Sequence, residues 1–187
     1  MFSFKYPKPI TFSGVRHMEE FKEALEIVEK KLIASWHIYI AIIYTAWLIA
    51  MGGYLTLSAL GLERITIFYW PTVFIGVVYV MGVAWKKFIQ LNPEIHKDSS
   101  LRGWVWLSGW IVGVIISIFL RDVRGFAAII GLGNLGMAFG FSQWSMAIPA
   151  ITLAAFLKPD WTFVNALIIL SYSLVSFVHL WRTFKVV

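Results

Sequence analysis

Two long stretches of this sequence contain no charged residue, and they constrain the fold more than any other feature. They are residues 32–62 and 125–157, with 31 and 33 residues. A straight α-helix of 31 residues is about 46 Å long, whereas the hydrocarbon core of a bilayer is about 30 Å thick. Because each run is long enough to cross a bilayer, the sequence predicts an integral membrane protein.

The composition supports this prediction. Hydrophobic residues make up 59% of the chain and charged residues 14%, against about 45–50% and 25% in soluble domains. Ten Trp and seven Tyr residues are enough for aromatic belts at two membrane interfaces. The net charge of +6 comes from Lys and Arg that flank the apolar stretches, so we expect the lipid bilayer as a partner and no nucleic acid.

The charged residues divide the chain into a cytosolic segment, 1–31, and a transmembrane helical domain, 32–187. Four spans are expected at residues 35–57, 65–85, 101–120 and 161–181. The run 125–157 is too long for one untilted helix and short for two. The predicted fold is an all-α polytopic bundle with six transmembrane helices. Five spans are the alternative, and a re-entrant hairpin at Ser142-Gln143 is a variant of six.

Charge and internal similarity favour six spans with both termini in the cytosol. Six spans put 12 of the 16 basic residues on the cytosolic side, and five spans put 11 there. The sequence Trp-Lys-Lys-Phe at residues 85–88 ends one span, and Trp-Arg-Thr-Phe at 181–184 ends another. If both ends lie on the same side, the number of spans is even.

The cytosolic segment contains an amphipathic helix. Its apolar residues recur at spacings of three and four, and charged residues fill the other positions. The expected docking residues are Met18, Phe21, Leu25 and Val28. The helix is interpreted either as a lead-in to the first span or as a docking or self-association helix for a membrane protein partner or a second copy of the chain.

Small and amide residues are concentrated in 131–143. Gly136 and Gly140 form a GxxxG pattern, as do Gly109 and Gly113 in the third span, and such patterns let helices approach closely. Alternatively, the glycines break the helix and free backbone groups to bind a solute. The residues of this packing surface or solute path are Gly109, Gly113, Asn134, Gly136, Gly140, Gln143 and Asn165.

Two histidines fall near span ends, His37 in the first span and His179 in the last. In the six-span topology both lie near the cytosolic surface, where they are able to meet and ligate a b-type haem or a metal ion. The other interpretation is an interfacial histidine that donates to a carbonyl or a headgroup.

No catalytic constellation appears, because no Asp, Glu, Lys or Arg lies deep in a span and the chain has no Cys, no Walker loop and no HExxH or GxSxG motif. We therefore expect a non-enzymatic accessory, anchoring or sensor component with no cofactor. A small channel or transporter that uses residues 131–143 is the first alternative. A haem-bearing redox subunit that uses His37 and His179 is the second.

The first hairpin resembles the small two-helix membrane modules found beside some bacterial sensor kinases. Those modules also have a charged helix that runs into a span with an early histidine, followed by Trp-Pro at the start of the second span. The matching residues here are His37 and Trp70-Pro71. The resemblance covers about 70 residues and implies a membrane hairpin without an activity.

Overall fold

The computed structural model describes residues 12–91, 99–120, 122–156, 158 and 160–186, and every regular element in them is a helix. The α-helices are α1 (Phe12–Ala59), α2 (Thr66–Leu91), α3 (Ser99–Leu120), α4 (Asp122–Gly140), α5 (Ile148–Phe156) and α6 (Trp161–Val186). All but α5 are long and apolar enough to cross a membrane. The predicted all-α membrane bundle is thereby confirmed, with five long helices and one short apolar stretch.

Helix α1 continues without a break from the charged segment into the first span. Its 48 residues correspond to a length of about 72 Å, and the Gly52-Gly53 pair does not interrupt it. The helix ends at a Schellman motif, in which Leu62 N–H donates to Leu57 O at 2.9 Å and Gly61 N–H donates to Ser58 O at 3.0 Å. Gly61 has a φ of 69°, a left-handed conformation that suits glycine.

Helices α1 and α6 form the antiparallel centre of the bundle. Thr45 and Ser176 hydroxyls lie 2.8 Å apart, and the Tyr44 and Tyr172 rings meet edge to face at 5.2 Å. Helix α2 packs on α1 and α3 packs on α4, and within the described residues α2 and α3 do not touch each other. Both flanking helices therefore present most of their surface to lipid.

The α3–α4 hairpin is joined through small residues. A Cβ on Gly109 would lie 2.8 Å from Gly136 Cα, and one on Gly113 would lie 2.8 Å from Ile129 Cα. Asp122, with a φ of 50°, already begins α4, so Val123 and the arginine after it are helical.

The uncharged run 125–157 reverses at Phe141–Gln143, near the Ser142-Gln143 position expected for a hairpin. Ser142 has a φ of 53°, and Gln143 N–H donates to Ala138 O at 2.9 Å, which closes the end of α4. The helix is unbroken up to Gly140, so its glycines do not interrupt it. The returning stretch, Trp144–Phe156, starts as a 3₁₀ helix and is about 20 Å long.

Several helix ends meet at one end of the bundle, which we call the histidine end. The Trp36 ring lies 5.1 Å from that of Phe88 at the end of α2 and 5.4 Å from that of Phe141 just after α4. On the next residue of α1, His37 meets His179 near the end of α6. The two Trp-base sequences, at 85–88 and 181–184, therefore lie at the same end of the bundle.

Candidate functional site

The two histidines form a direct hydrogen bond inside the bundle. Their Nδ1 atoms are 2.9 Å apart, and His37 is 8% and His179 0% exposed. His179 also pairs through Nε2 with the Ser145 hydroxyl at 2.7 Å. Because a neutral imidazole has one donor and one acceptor nitrogen, and a hydroxyl serves as either, this chain of three groups is satisfied without a charge.

Helix periodicity brings the pair together. His37 precedes Ile40 and Tyr44 on the buried face of α1, at spacings of three and four. His179 follows Tyr172 and Val175 on the buried face of α6 at similar spacings. The antiparallel contact of these two faces then places both imidazoles at the histidine end.

The geometry of the pair does not fit a haem iron. The ring centroids are 5.1 Å apart, which exceeds the 2.9 Å nitrogen separation by about two ring radii. The rings therefore meet end-on, and an ion between them with bonds of about 2.0–2.1 Å would need a separation of about 4 Å. Within the described residues, no group of three His, Cys, Asp or Glu side chains could hold a metal ion.

A second buried cluster crosses three helices deeper in the bundle. The Tyr44 hydroxyl donates to Asn134 Oδ1 at 2.6 Å. Asn134 Nδ2 donates to Ile130 O at 2.8 Å and to the Tyr172 hydroxyl at 3.3 Å. With Asn134 1% exposed, its carboxamide is used fully within the protein, as expected for an interhelical contact.

The two clusters do not form a continuous chain of exchangeable groups. The Tyr44 hydroxyl is 3.5 Å from the Met146 carbonyl oxygen, and a carbonyl cannot pass a proton on. Towards the opposite end the described core is mainly apolar, with Met51, Val164 and Ile168 at 2% exposure or less. The connected buried polar groups therefore end within the bundle instead of crossing it.

The other amides proposed from the sequence lie elsewhere. Gln143 is partly exposed and accepts a 3.1 Å hydrogen bond from the Arg182 guanidinium. Asn165 is 1% exposed and donates to Trp161 O within its own helix, while its Oδ1 has no donor. Gly140 is buried at the end of α4. Asn134, Gln143 and Asn165 thus do not line one path.

The expected docking residues are all exposed. Met18, Phe21, Leu25 and Val28 have exposed fractions of 52%, 64%, 52% and 53%. We call these four side chains the apolar stripe. It belongs to a part of α1, residues 18–31, in which every side chain is exposed, so the stripe lies beyond the bundle.

The sequence analysis missed the partners of the proposed residues. Tyr44 and Tyr172 were not recognised, nor was Ser145, although each contacts an expected site residue. A signal was present in α6, where Tyr172, Ser176 and His179 follow at spacings of four and three and so share one face. A polar face on an apolar helix is the usual mark of a buried contact.

The fold and its buried polar clusters define the class: a polytopic α-helical membrane protein with a helical extension at one end. No protein-family model, curated protein or solved structure matched the chain. The likeness of the first hairpin to the two-helix modules therefore carries no functional argument.

Proposed function

We propose that this protein is a non-enzymatic membrane component that docks an amphipathic helix of a partner protein on the apolar stripe of α1. The exposure of the stripe carries the proposal. Burying a Leu, Phe, Val or Met side chain is worth about 1.5–3 kcal/mol, and four such side chains lie exposed in one row, with no other described residue covering them. This is an accessory or anchoring role.

The continuity of α1 supports the same role. An isolated helix of about 14 residues is marginal in water. Here residues 18–31 extend a helix whose later turns, with Ile40 and Tyr44, are buried in the bundle. The extension is therefore held helical and offers a preformed surface, which lowers the entropic cost of binding.

The direction of the stripe indicates where the partner sits. Leu25, Leu32 and Tyr39 follow at intervals of seven residues, about two helical turns. Tyr39 contacts α2, with its ring 5.4 Å from Trp85 and 5.7 Å from Phe88. The stripe therefore lies on the side of α1 that faces α2. Along the axis of α1, it lies beyond the point where α2 ends.

Charge supports a distinct partner more than a second copy. Lys86 and Lys87 are exposed at the end of α2, where they would attract acidic residues of a partner helix. If two α1 extensions paired in parallel through the apolar stripe, the residues beside the stripe on one helix would face those five positions later on the other. Ala24 would then face Glu29, and Lys31 would face Trp36. Neither combination is the ion pair that specifies a homodimer.

We infer that the histidine end, with both termini, is cytosolic. The basis is the 12-to-4 distribution of Lys and Arg along the sequence. Both Trp-base sequences at that end fit a cytosolic interface as well. The stripe is then available to a soluble protein or to the cytosolic helix of a membrane protein.

Site-specific photocrosslinking in native membranes tests the proposal. A photoreactive amino acid at Leu25 should give one dominant protein adduct. The same amino acid at Ile27, equally exposed at 47% but on the opposite side of the helix, should not. Phe21→Glu should abolish the adduct at position 25.

The adduct's identity decides between occupants. A distinct protein linked through an amphipathic helix supports the proposal. An adduct at twice the 21.4 kDa chain mass would mean self-association instead. Adducts to lipid alone, or equal adducts at both positions, would contradict the proposal and mean that the extension only leads into the first span.

A further inference from the structure

The His37–His179 pair joins the two central helices by a bond that depends on protons. We propose that it is a proton-operated lock, which holds α1 against α6 until both imidazoles are protonated and then lets these two helices separate at the histidine end. The proposal goes beyond docking on the apolar stripe and does not depend on it. It concerns how the bundle itself responds to acid.

The number of protons on the two Nδ1 atoms determines whether their hydrogen bond persists. In the neutral pair one Nδ1–H donates and the other Nδ1 accepts. After one proton is added, an imidazolium still donates to a neutral imidazole, and the contact survives. After a second proton, both Nδ1 atoms carry hydrogen, so neither accepts and two like charges face each other across the same gap.

Among the described residues, no carboxylate lies near enough along these helices to offset those protons. Within seven residues of either histidine, the described ionisable groups are Lys30, Lys31, Tyr39 and Tyr44 on α1 and Tyr172, Arg182 and Lys185 on α6, with Lys86 and Lys87 at the end of α2. The turn before α5 supplies only the neutral Gln143 and Ser145. The nearest carboxylate before His37 on α1, that of Glu29, is eight residues away, about 12 Å along the axis.

The release is confined to the histidine end by the contacts beneath it. Thr45 and Ser176 hydroxyls remain 2.8 Å apart, and Tyr44 remains bonded to Asn134, because none of these groups gains a proton in mild acid. The side chains of residues 18–31 are all exposed and so are not packed in the bundle. Loss of the pair therefore lets the end of α6 move away from α1 above the turn that holds Tyr44 and Thr45, while the Trp36 and Tyr39 rings keep α1 in contact with Phe141 and α2.

Distance measurement between two spin labels tests this motion without any partner. The chain has no Cys, so Glu23→Cys and Lys185→Cys give a clean label pair on the extension and at the end of α6. In lipid nanodiscs we expect a narrow distance distribution at about pH 8. Because burial and mutual repulsion oppose the second protonation, the titration runs down to about pH 3, where the distribution should shift reversibly to longer distances and lose the narrow peak.

Two variants assign the shift to the pair. His179→Gln keeps a side chain that donates and accepts but cannot be protonated, so its distance should not change with pH. Replacing the remaining histidines together, His17→Gln with His96→Gln, should leave the shift intact. An unchanged wild-type distance at low pH would overturn the lock, and so would a shift that persists in His179→Gln.

Discussion

Gly109 of α3 and Gly136 of α4 touch backbone to backbone, and a Cβ on Gly136 would lie 2.9 Å from both Gly109 Cα and Trp106 O. We predict that Gly136→Ala destabilises the protein by about 1–3 kcal/mol, the usual range for overpacking. Thermal unfolding in mild detergent measures the loss. Gly136→Leu should be worse, because its larger side chain forces the helices further apart.

Gly131→Ala is the matched control on the same helix. A Cβ there would lie 3.8 Å from its nearest neighbour, Ala150 Cα, which is ordinary contact. Since Ala favours a helix more than Gly does, this variant should be as stable as the parent or more so. Equal effects at 131 and 136 would show that the glycines do not mark a helix contact.

The Asn134 carboxamide should contribute through its pairing with Tyr44. Asn134→Leu leaves the buried Tyr44 hydroxyl without its 2.6 Å acceptor, so we expect a loss of stability. In a double-mutant cycle with Tyr44→Phe, the coupling should be about 1 kcal/mol, a value typical of interhelical hydrogen bonds in membranes. Strictly additive single effects would mean that this bond contributes nothing.

Asn165 should behave differently from Asn134 although both are 1% exposed. Its Oδ1 lacks a donor and its Nδ2 bonds only to its own helix. Because removing an unsatisfied buried group relieves a cost, Asn165→Leu should be neutral or stabilising in the same unfolding assay. A loss as large as that of Asn134→Leu would point to a bound molecule on Asn165.

The topology is testable with single cysteines. We expect cysteines at Ser3 and at Val187 to be protected from an impermeant thiol reagent in intact cells and labelled after permeabilisation. Lys158→Cys, between α5 and α6, is the control and should be labelled in intact cells. Labelling at 187 but not at 3 would require an odd number of spans.

The fold was largely predictable because the bilayer makes it so. Uncharged runs and flanking basic residues located α1, α2, α3 and α6, since lipid tolerates few other structures. The run 125–157 was harder, because periodicity does not show where an uncharged stretch reverses, and only the polar Ser142-Gln143 pair suggested the place. The reversal depends on Ser142 adopting a left-handed conformation, which that pair alone does not predict.

The candidate site was predictable in part. An even number of spans predicts that His37 and His179 lie near the same surface. It does not predict that their rings meet end-on in a hydrogen bond. It depends on the rotation of α1 against α6, which the shapes of Ile40, Tyr44 and Val175 determine together. Likewise, the apolar stripe was visible in the sequence, whereas its place above the end of α2 needed the α1–α2 contact.

The short return stretch has a consequence for the membrane itself. Trp144–Phe156 covers about 20 Å, while the surrounding hydrocarbon is about 30 Å thick. Ile151 and Phe156 are 63% and 61% exposed, so lipid meets this stretch directly. Hydrophobic mismatch of this kind is relieved when headgroups dip inward and the bilayer thins. We therefore expect the protein to favour thin membrane, and to thin the bilayer along one side of the bundle only.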